Sequence, residues 1–131
     1  MTSLQLLGLL CIALVYGPAN ARSDREVEKE LAEIARAISA KLPSGSPASM
    51  VVSVTAGPGR RFTYRSVQAV PAREWTPEMR AHSLRIAVND YCTNPVFQPL
   101  RDNGVVVSWQ SSDREGVHVT TNSVAPGDCK K

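Results

Sequence analysis

Apolar positions along the chain change period three times. Val27, Leu31, Ile34, Ala35, Ile38 and Leu42 recur at spacings that place them on one face of an α-helix. Ser23-Asp24-Arg25-Glu26 has the form of a capping box at its start, and Pro43 with Ser44-Gly45-Ser46-Pro47 ends it. Asp24, Glu26 and Glu28 suit the positive end of the helix dipole and Lys41 the other, so these charges read as helix design and not as a site. From Met50 the period becomes two. Val52, Val54 and Ala56 are in phase, Gly57-Pro58-Gly59 turns the chain, and Phe62 and Tyr64 alternate with Arg61, Thr63 and Arg65, which predicts a β-hairpin. Thr76-Pro77-Glu78 then supplies an N-cap with proline at the first helical position. The second helix is predicted to run to about Tyr91, with Ala81, Leu84, Ala87, Val88 and Tyr91 on one face and His82, Arg85 and Asn89 on the opposite one. After the irregular stretch from Asn94 to Pro99, Val105, Val107 and Trp109 alternate with Val106, Ser108 and Gln110. Ser112 to Gly116 turns the chain, and Val117, Val119 and Thr121 alternate again, giving a second hairpin.

Helix, hairpin, helix, hairpin predicts a two-layer α+β domain: a four-stranded antiparallel sheet with both helices on one face. Strand alternation would turn Val52, Val54, Phe62, Tyr64, Val105, Val107, Trp109, Val117 and Val119 toward the helices. Ser53, Thr55, Arg61, Thr63, Arg65, Ser108, Gln110, His118, Thr120 and Asn122 would form an open, polar face.

The first twenty-one of the 131 residues contain no Asp, Glu, Lys or Arg, although Met1-Thr2-Ser3 lacks the basic residue common at the start of a leader. Leu4 to Val15 is predominantly apolar, Gly17 and Pro18 break it, and Ala19-Asn20-Ala21 has small residues where a signal peptidase reads. Residues 1–21 are therefore expected to be a signal peptide, and residues 22–131 a single α+β domain, long enough to hide roughly two-thirds of its unfolded surface. The apolar run is too short to span a bilayer, and Leu10 before Cys11 does not fit a lipidation site. Two cysteines remain after cleavage, an even number in an exported chain, and Cys92 and Cys129 are expected to pair. At 43% hydrophobic and 21% charged, the composition excludes a disordered tail or a polytopic membrane protein.

Tyr91-Cys92-Thr93-Asn94-Pro95, then Pro99-Leu100-Arg101-Asp102-Asn103-Gly104-Val105, Trp109 to Gly116 and Asp128-Cys129 resemble small exported bacterial proteins of the quorum-sensing-regulated virulence factor family. That resemblance implies an exported α+β domain with a role in host or cell-surface interaction, and it brings no catalytic residues. A looser similarity exists to the disulfide-containing pilotins of type II secretion systems, which chaperone an outer-membrane channel subunit.

No motif dictates chemistry. His82 and His118 do not make a zinc set with a bridged cysteine pair, no serine occupies a Gly-x-Ser-x-Gly turn, and Pro58 removes an amide that a phosphate loop would need. No catalytic residue, metal or cofactor is therefore expected. Arg60, Arg61 and Arg65 cluster, with Arg73 nearby; such a patch reads first as a solvated strand face, and otherwise as attraction for an acidic partner or a membrane surface. A net charge of +3 on an exported chain argues against nucleic acid. Trp109 reads as core, whereas Trp75 divides between packing and contact surface. The candidate binding surface is accordingly Arg61, Arg65, His118 and Trp75. Three functions stay open: a secreted or periplasmic non-enzymatic accessory protein that binds a protein partner, a pilotin-like envelope chaperone, and a small hydrolase. Neither the partner's identity nor the oligomeric state is encoded in any motif.

Overall fold

The computed structural model describes residues 22–129. The leader expected over residues 1–21 lies outside the described residues, as do Lys130 and Lys131. In chain order the elements are α1 (Asp24–Ser39), β1 (Ser44–Ser46), β2 (Ser49–Ala56), β3 (Arg61–Gln68), α2 (Pro77–Thr93), α3 (Gln98–Asp102), β4 (Val106–Asp113) and β5 (His118–Val124). Short 3-10 turns lie at Ala72–Glu74, Pro95–Phe97 and Pro126–Cys129.

Helix α1 forms where its capping box and apolar stripe place it. Ser23 Oγ accepts from the Glu26 amide at 3.1 Å, and Val27, Leu31 and Ala35 are buried against β2. The helix stops at Ser39, and Leu42 packs against the core from the connection beyond it. Two charges that suit the helix dipole also reach across the fold. Asp24 pairs with Arg60 at 2.7 Å, and Glu28 Oε2 accepts from the Gly59 amide at 3.0 Å, fastening the β2–β3 turn to α1.

The expected four antiparallel strands and two helices need correction. The sheet has five strands in the order β1-β2-β3-β4-β5, and its central pair, β3 and β4, is parallel. The reason is the intervening helix: α2 carries the chain back to the end at which β3 began, so β4 must start there and run the same way. Strand β1 arises within the Ser44–Ser46 stretch, which reads as linker. Gly45 sits there at φ +125, and a Cβ would lie 2.5 Å from the Ser49 carbonyl oxygen, so the β1–β2 turn closes only with glycine. The segment read as irregular holds the Pro95–Phe97 turn and α3, both started by proline.

Both long helices lie on one sheet face, α1 over β2 and α2 over β5, and that face is layered. Ala56, Phe62, Val107 and Val124 align in the first layer, Val54, Tyr64, Trp109 and Asn122 in the second, Val51, Ser66, Ser111 and Thr120 in the third, and Ser49, Gln68 and Asp113 in the fourth. The first two layers carry the core with Leu100, Val105, Phe97 and Tyr91. Tyr64 stacks on Trp109, with ring centroids 5.8 Å apart and planes at 8°, and Phe97 meets both rings edge-on. The next two layers are hydroxyls, amides and a carboxylate, with Val51 as their apolar exception.

Bulges explain where the expected alternation fails. Each inserts one residue into its strand and flips the phase beyond it. One lies between Val51 and Ser53, so Val51 and Val54 share the helix side while Val52 is exposed. The other lies at Ser111 and Ser112 opposite Thr120 and His118. It turns Thr120 and Asn122 toward the helices, not to the open face, and Val117, expected inside, is exposed. Ser53, Thr55, Arg61, Thr63, Arg65, Ser108 and Gln110 do occupy the uncovered face.

Candidate functional site

Where the helix-side face turns polar, α1 no longer covers it. A groove of about 400 Å³ opens there along α2. Its floor is Ser49, Ser66, Gln68, Ser111 and Asn122, its wall is Met79, His82, Ser83, Ile86, Ala87 and Asp90 of α2, and Trp75 and Trp109 contribute aromatic surface. The floor is internally hydrogen-bonded: Gln68 Nε2 donates to Ser49 Oγ at 2.9 Å and to Ser66 Oγ at 3.1 Å, and the Ser66 and Ser111 hydroxyls are 3.1 Å apart. Asn122 Nδ2 donates to Ser83 Oγ at 2.9 Å and joins β5 to α2. The floor side chains therefore start out partnered to one another, while the wall offers apolar surface. Ile86 is 56% exposed, and Val70, whose carbonyl accepts from the Trp75 indole, is exposed in part.

Residues away from the groove hold Trp75 in place. Asp113 Oδ2 accepts from the Ala72 amide at 2.9 Å, fixing the 3-10 turn that leads into Trp75. Its Oδ1 accepts from the amides of Glu115 and Val117, each at 2.9 Å, and shapes the β4–β5 turn. These bonds, with that from Ala72 foremost, hold the Asp113 carboxyl below its ordinary value of 3.8. Arg80 donates to the Trp75 carbonyl at 2.7 Å and to that of Val119 at 3.1 Å, and Trp75 Nε1 donates to the Val70 carbonyl at 3.2 Å. Thr76 caps α2 by accepting from the Met79 amide at 3.1 Å. Spacing alone does not single out Asp113 or Arg80. The one signal is an aspartate opening a turn closed by Gly116.

The far end of α2 is held by different means. Tyr91 is fully buried and its hydroxyl donates to the Val105 carbonyl at 2.7 Å. Burial pushes its phenol up to about 12, Asp128 adds to the rise and Arg101 opposes it. Burial also raises Tyr64, helped by the charge of Asp90. Cys92 and Cys129 are joined as a disulfide, tying the C-terminal turn to the helix exit. Arg101 donates to the carbonyls of Tyr91 and Asn94.

The candidate surface residues do not form one site. Trp75 belongs to the groove, whereas Arg61, Arg65 and His118 are exposed on the strands, with Arg61 and Arg65 on the opposite sheet face. Arg65 Nε donates to Gln110 Oε1 at 3.1 Å, and the His118 ring meets Thr121 Oγ1 at 2.8 Å. Arg60 leaves the expected cluster altogether. Its guanidinium binds Asp24, the Asn103 carbonyl at 2.6 Å and the Arg22 carbonyl, and so closes the fold. Among the described residues, no group of three or more His, Cys, Asp or Glu side chains is placed to hold a metal ion, and no helix is long and apolar enough to cross a membrane.

No family profile and no curated protein matches the sequence. Solved structures do match its fold. The type II secretion pilotin EpsS of Vibrio vulnificus is similar at a TM-score of 0.70 and 18% identity, over 82% of this chain and 96% of that one. A Pseudomonas aeruginosa protein inferred to be secreted matches with the same values. The type II secretion pilotin AspS of Vibrio cholerae matches at a TM-score of 0.66 and 22% identity, over 81% of this chain and 94% of that one. These likenesses establish a shared α+β fold, and two of the three chains are pilotins. None carries the name of the virulence-factor family that the cysteine and proline motifs resemble.

Proposed function

We propose that this protein is a non-enzymatic accessory protein of the bacterial cell envelope, exported to the periplasm or beyond, that acts as a pilotin does and holds a segment of a protein partner in the α2 groove. The observation that carries this reading is the apolar wall of Trp75, Met79, Ile86 and Trp109 left uncovered on an otherwise packed face. An exposed aliphatic such as Ile86 beside two tryptophans is the usual make-up of a binding anchor. Likeness to two pilotins favours an envelope chaperone over a freely secreted effector. The leader pattern and the disulfide support an oxidising compartment.

The test is photocrosslinking in the producing cell, with benzoylphenylalanine in place of Ile86 and, separately, of Arg65. A discrete adduct from position 86 that contains a subunit of an outer-membrane secretion channel, with none from position 65, is the expected result. Adducts only from position 65 would move the working surface to the open sheet face and overturn the reading.

A further inference from the structure

Among the described residues lining the groove, Asp90 is the one acidic side chain. It lies in the last turn of α2, which carries no basic residue of its own; Arg101 of α3 donates to the Tyr91 and Asn94 carbonyls at that end and leaves the Asp90 carboxylate without an ion pair. Among the described residues, ion pairs within 4.0 Å join Arg22 to Glu30 and Arg60 to Asp24, and none involves Asp90. Its side-chain partner is the amide of Asn94, which donates to Oδ1 at 3.1 Å. Nearby Tyr64 is an aromatic hydroxyl whose ionisation burial opposes first and the Asp90 charge second. The half-buried carboxylate thus combines a place on the groove wall, no ion-pair partner of its own and apolar side chains beside it.

We propose that the groove recognises a peptide segment of its partner that is apolar along one side and presents a single lysine or arginine to Asp90. This rests on the reading of the groove as a partner-binding site and adds its selectivity. An ammonium or guanidinium there would pair with the otherwise unpaired carboxylate through a charge-assisted hydrogen bond. The polar floor can meet peptide backbone groups, while Trp75, Met79 and Ile86 take the apolar side chains. A protein segment fits better than a small ligand because the wall residue Ile86 is itself 56% exposed, whereas a small-molecule site encloses most of its occupant.

Peptides displayed from a random library are selected on the oxidised protein, and those that still bind its Ile86→Glu variant are discarded. The survivors should share apolar positions with one lysine or arginine at a fixed spacing from them. A synthetic copy in which acetyllysine replaces that lysine keeps the stem and loses the charge. It should bind the unaltered protein about tenfold more weakly, a difference of about 1.4 kcal/mol. Asp90→Asn protein should no longer tell the two peptides apart. If the two peptides bind the unaltered protein equally, Asp90 does not select a cation, and the groove reading survives without it. If no peptide distinguishes the protein from its Ile86→Glu variant, both readings fall together.

Discussion

Helices α1 and α2 are nearly equal in length, 16 and 17 residues, and lie on the same face of one sheet, yet they are built to different rules. Every strongly apolar residue of α1 falls on one stripe, its core contacts are Val27, Leu31 and Ala35, and its charges fasten neighbouring turns. In α2, apolar residues lie on both sides. Ala87 and Tyr91 are buried, but Leu84 is 43% and Ile86 56% exposed. Besides the buried Tyr91 ring and Ala87, α2 is held by point attachments: the Tyr91 hydroxyl, Arg80, the Asn122–Ser83 bond and the disulfide. A helix retained by a stripe is scaffold. One retained at its ends and by single bonds keeps a lateral face free, and in this protein that face borders the groove.

The comparison breaks most readily at the disulfide. Cys92→Ala with Cys129→Ala removes a link across a sequence separation of 37, and the chain-entropy relation gives a loss of about 3–4 kcal/mol, measurable by urea unfolding. Because α2 depends on its attachments, hydrogen exchange should accelerate in α2 more than in α1. Uniform acceleration in both would show that α2 needs no such tether.

A matched pair of aliphatic truncations sharpens the contrast. Leu31→Ala in α1 should cost about 3 kcal/mol, from lost burial and the cavity left behind. Ile86→Ala in α2 should change stability by less than about 0.5 kcal/mol. Equal losses would make Ile86 a core residue and remove the groove's apolar wall.

Tyr91→Phe tests the inner attachment. It leaves the buried Val105 carbonyl without its 2.7 Å partner and should cost about 1–2 kcal/mol. The phenol's value is raised in the folded protein, so the contribution is fully present below the ordinary 10.0 and is lost as pH climbs through about 12. Alkaline unfolding followed by circular dichroism should therefore shift in the wild type and lose that component in Tyr91→Phe.

Asp113→Asn is a smaller perturbation with the opposite pH sign. Its carboxyl is lowered in the folded state, so its stabilisation is present above the ordinary 3.8 and disappears as pH falls through the lower folded value. The variant should lose that acid-limb dependence in thermal unfolding. The indole N–H resonance of Trp75 should also shift, since Asp113 fixes the turn before it. A Trp75 signal unmoved by the substitution would show that Arg80 alone positions the ring.

How much of the architecture is legible in the sequence depends on whether a local pattern has one structural meaning. The α1 stripe and both N-caps do, since a capping box or a Thr-Pro cap followed by apolar residues at helical spacing has no strand equivalent. The parallel β3–β4 pair does not, because alternation is the same in either orientation. Strict alternation puts Val52, Val117, Thr120 and Asn122 on the wrong sides, because a bulge leaves no compositional mark here and reverses the phase of the residues beyond it. The groove leaves a faint trace. In one phase of β3, Phe62 and Tyr64 give way to Ser66 and Gln68, and in β4 Val107 and Trp109 give way to Ser111 and Asp113. Two strands that turn polar at the same level of their buried face mark a place where the covering layer ends. That trace has meaning only once the strands are known to be neighbours and in register.

The smallest effect is expected on the face that charge alone made attractive. Arg61 and Arg65 project from β3 away from both helices, and the side-chain bond there, from Arg65 to Gln110, is exposed. Reversing both, Arg61→Glu with Arg65→Glu, should change thermal stability by less than about 0.5 kcal/mol, because exposed polar contacts contribute little. Peptide binding in the groove should also stay unchanged at physiological salt, where charges farther apart than about 8 Å are largely screened and the sheet separates the two faces. The measurement is the affinity of the same selected peptide at low and physiological salt. A loss confined to low salt reports only long-range steering by the altered net charge. A loss that persists at physiological salt would place binding on the sheet's open face, and the exposed side of α2 would then be surplus apolar surface without a partner.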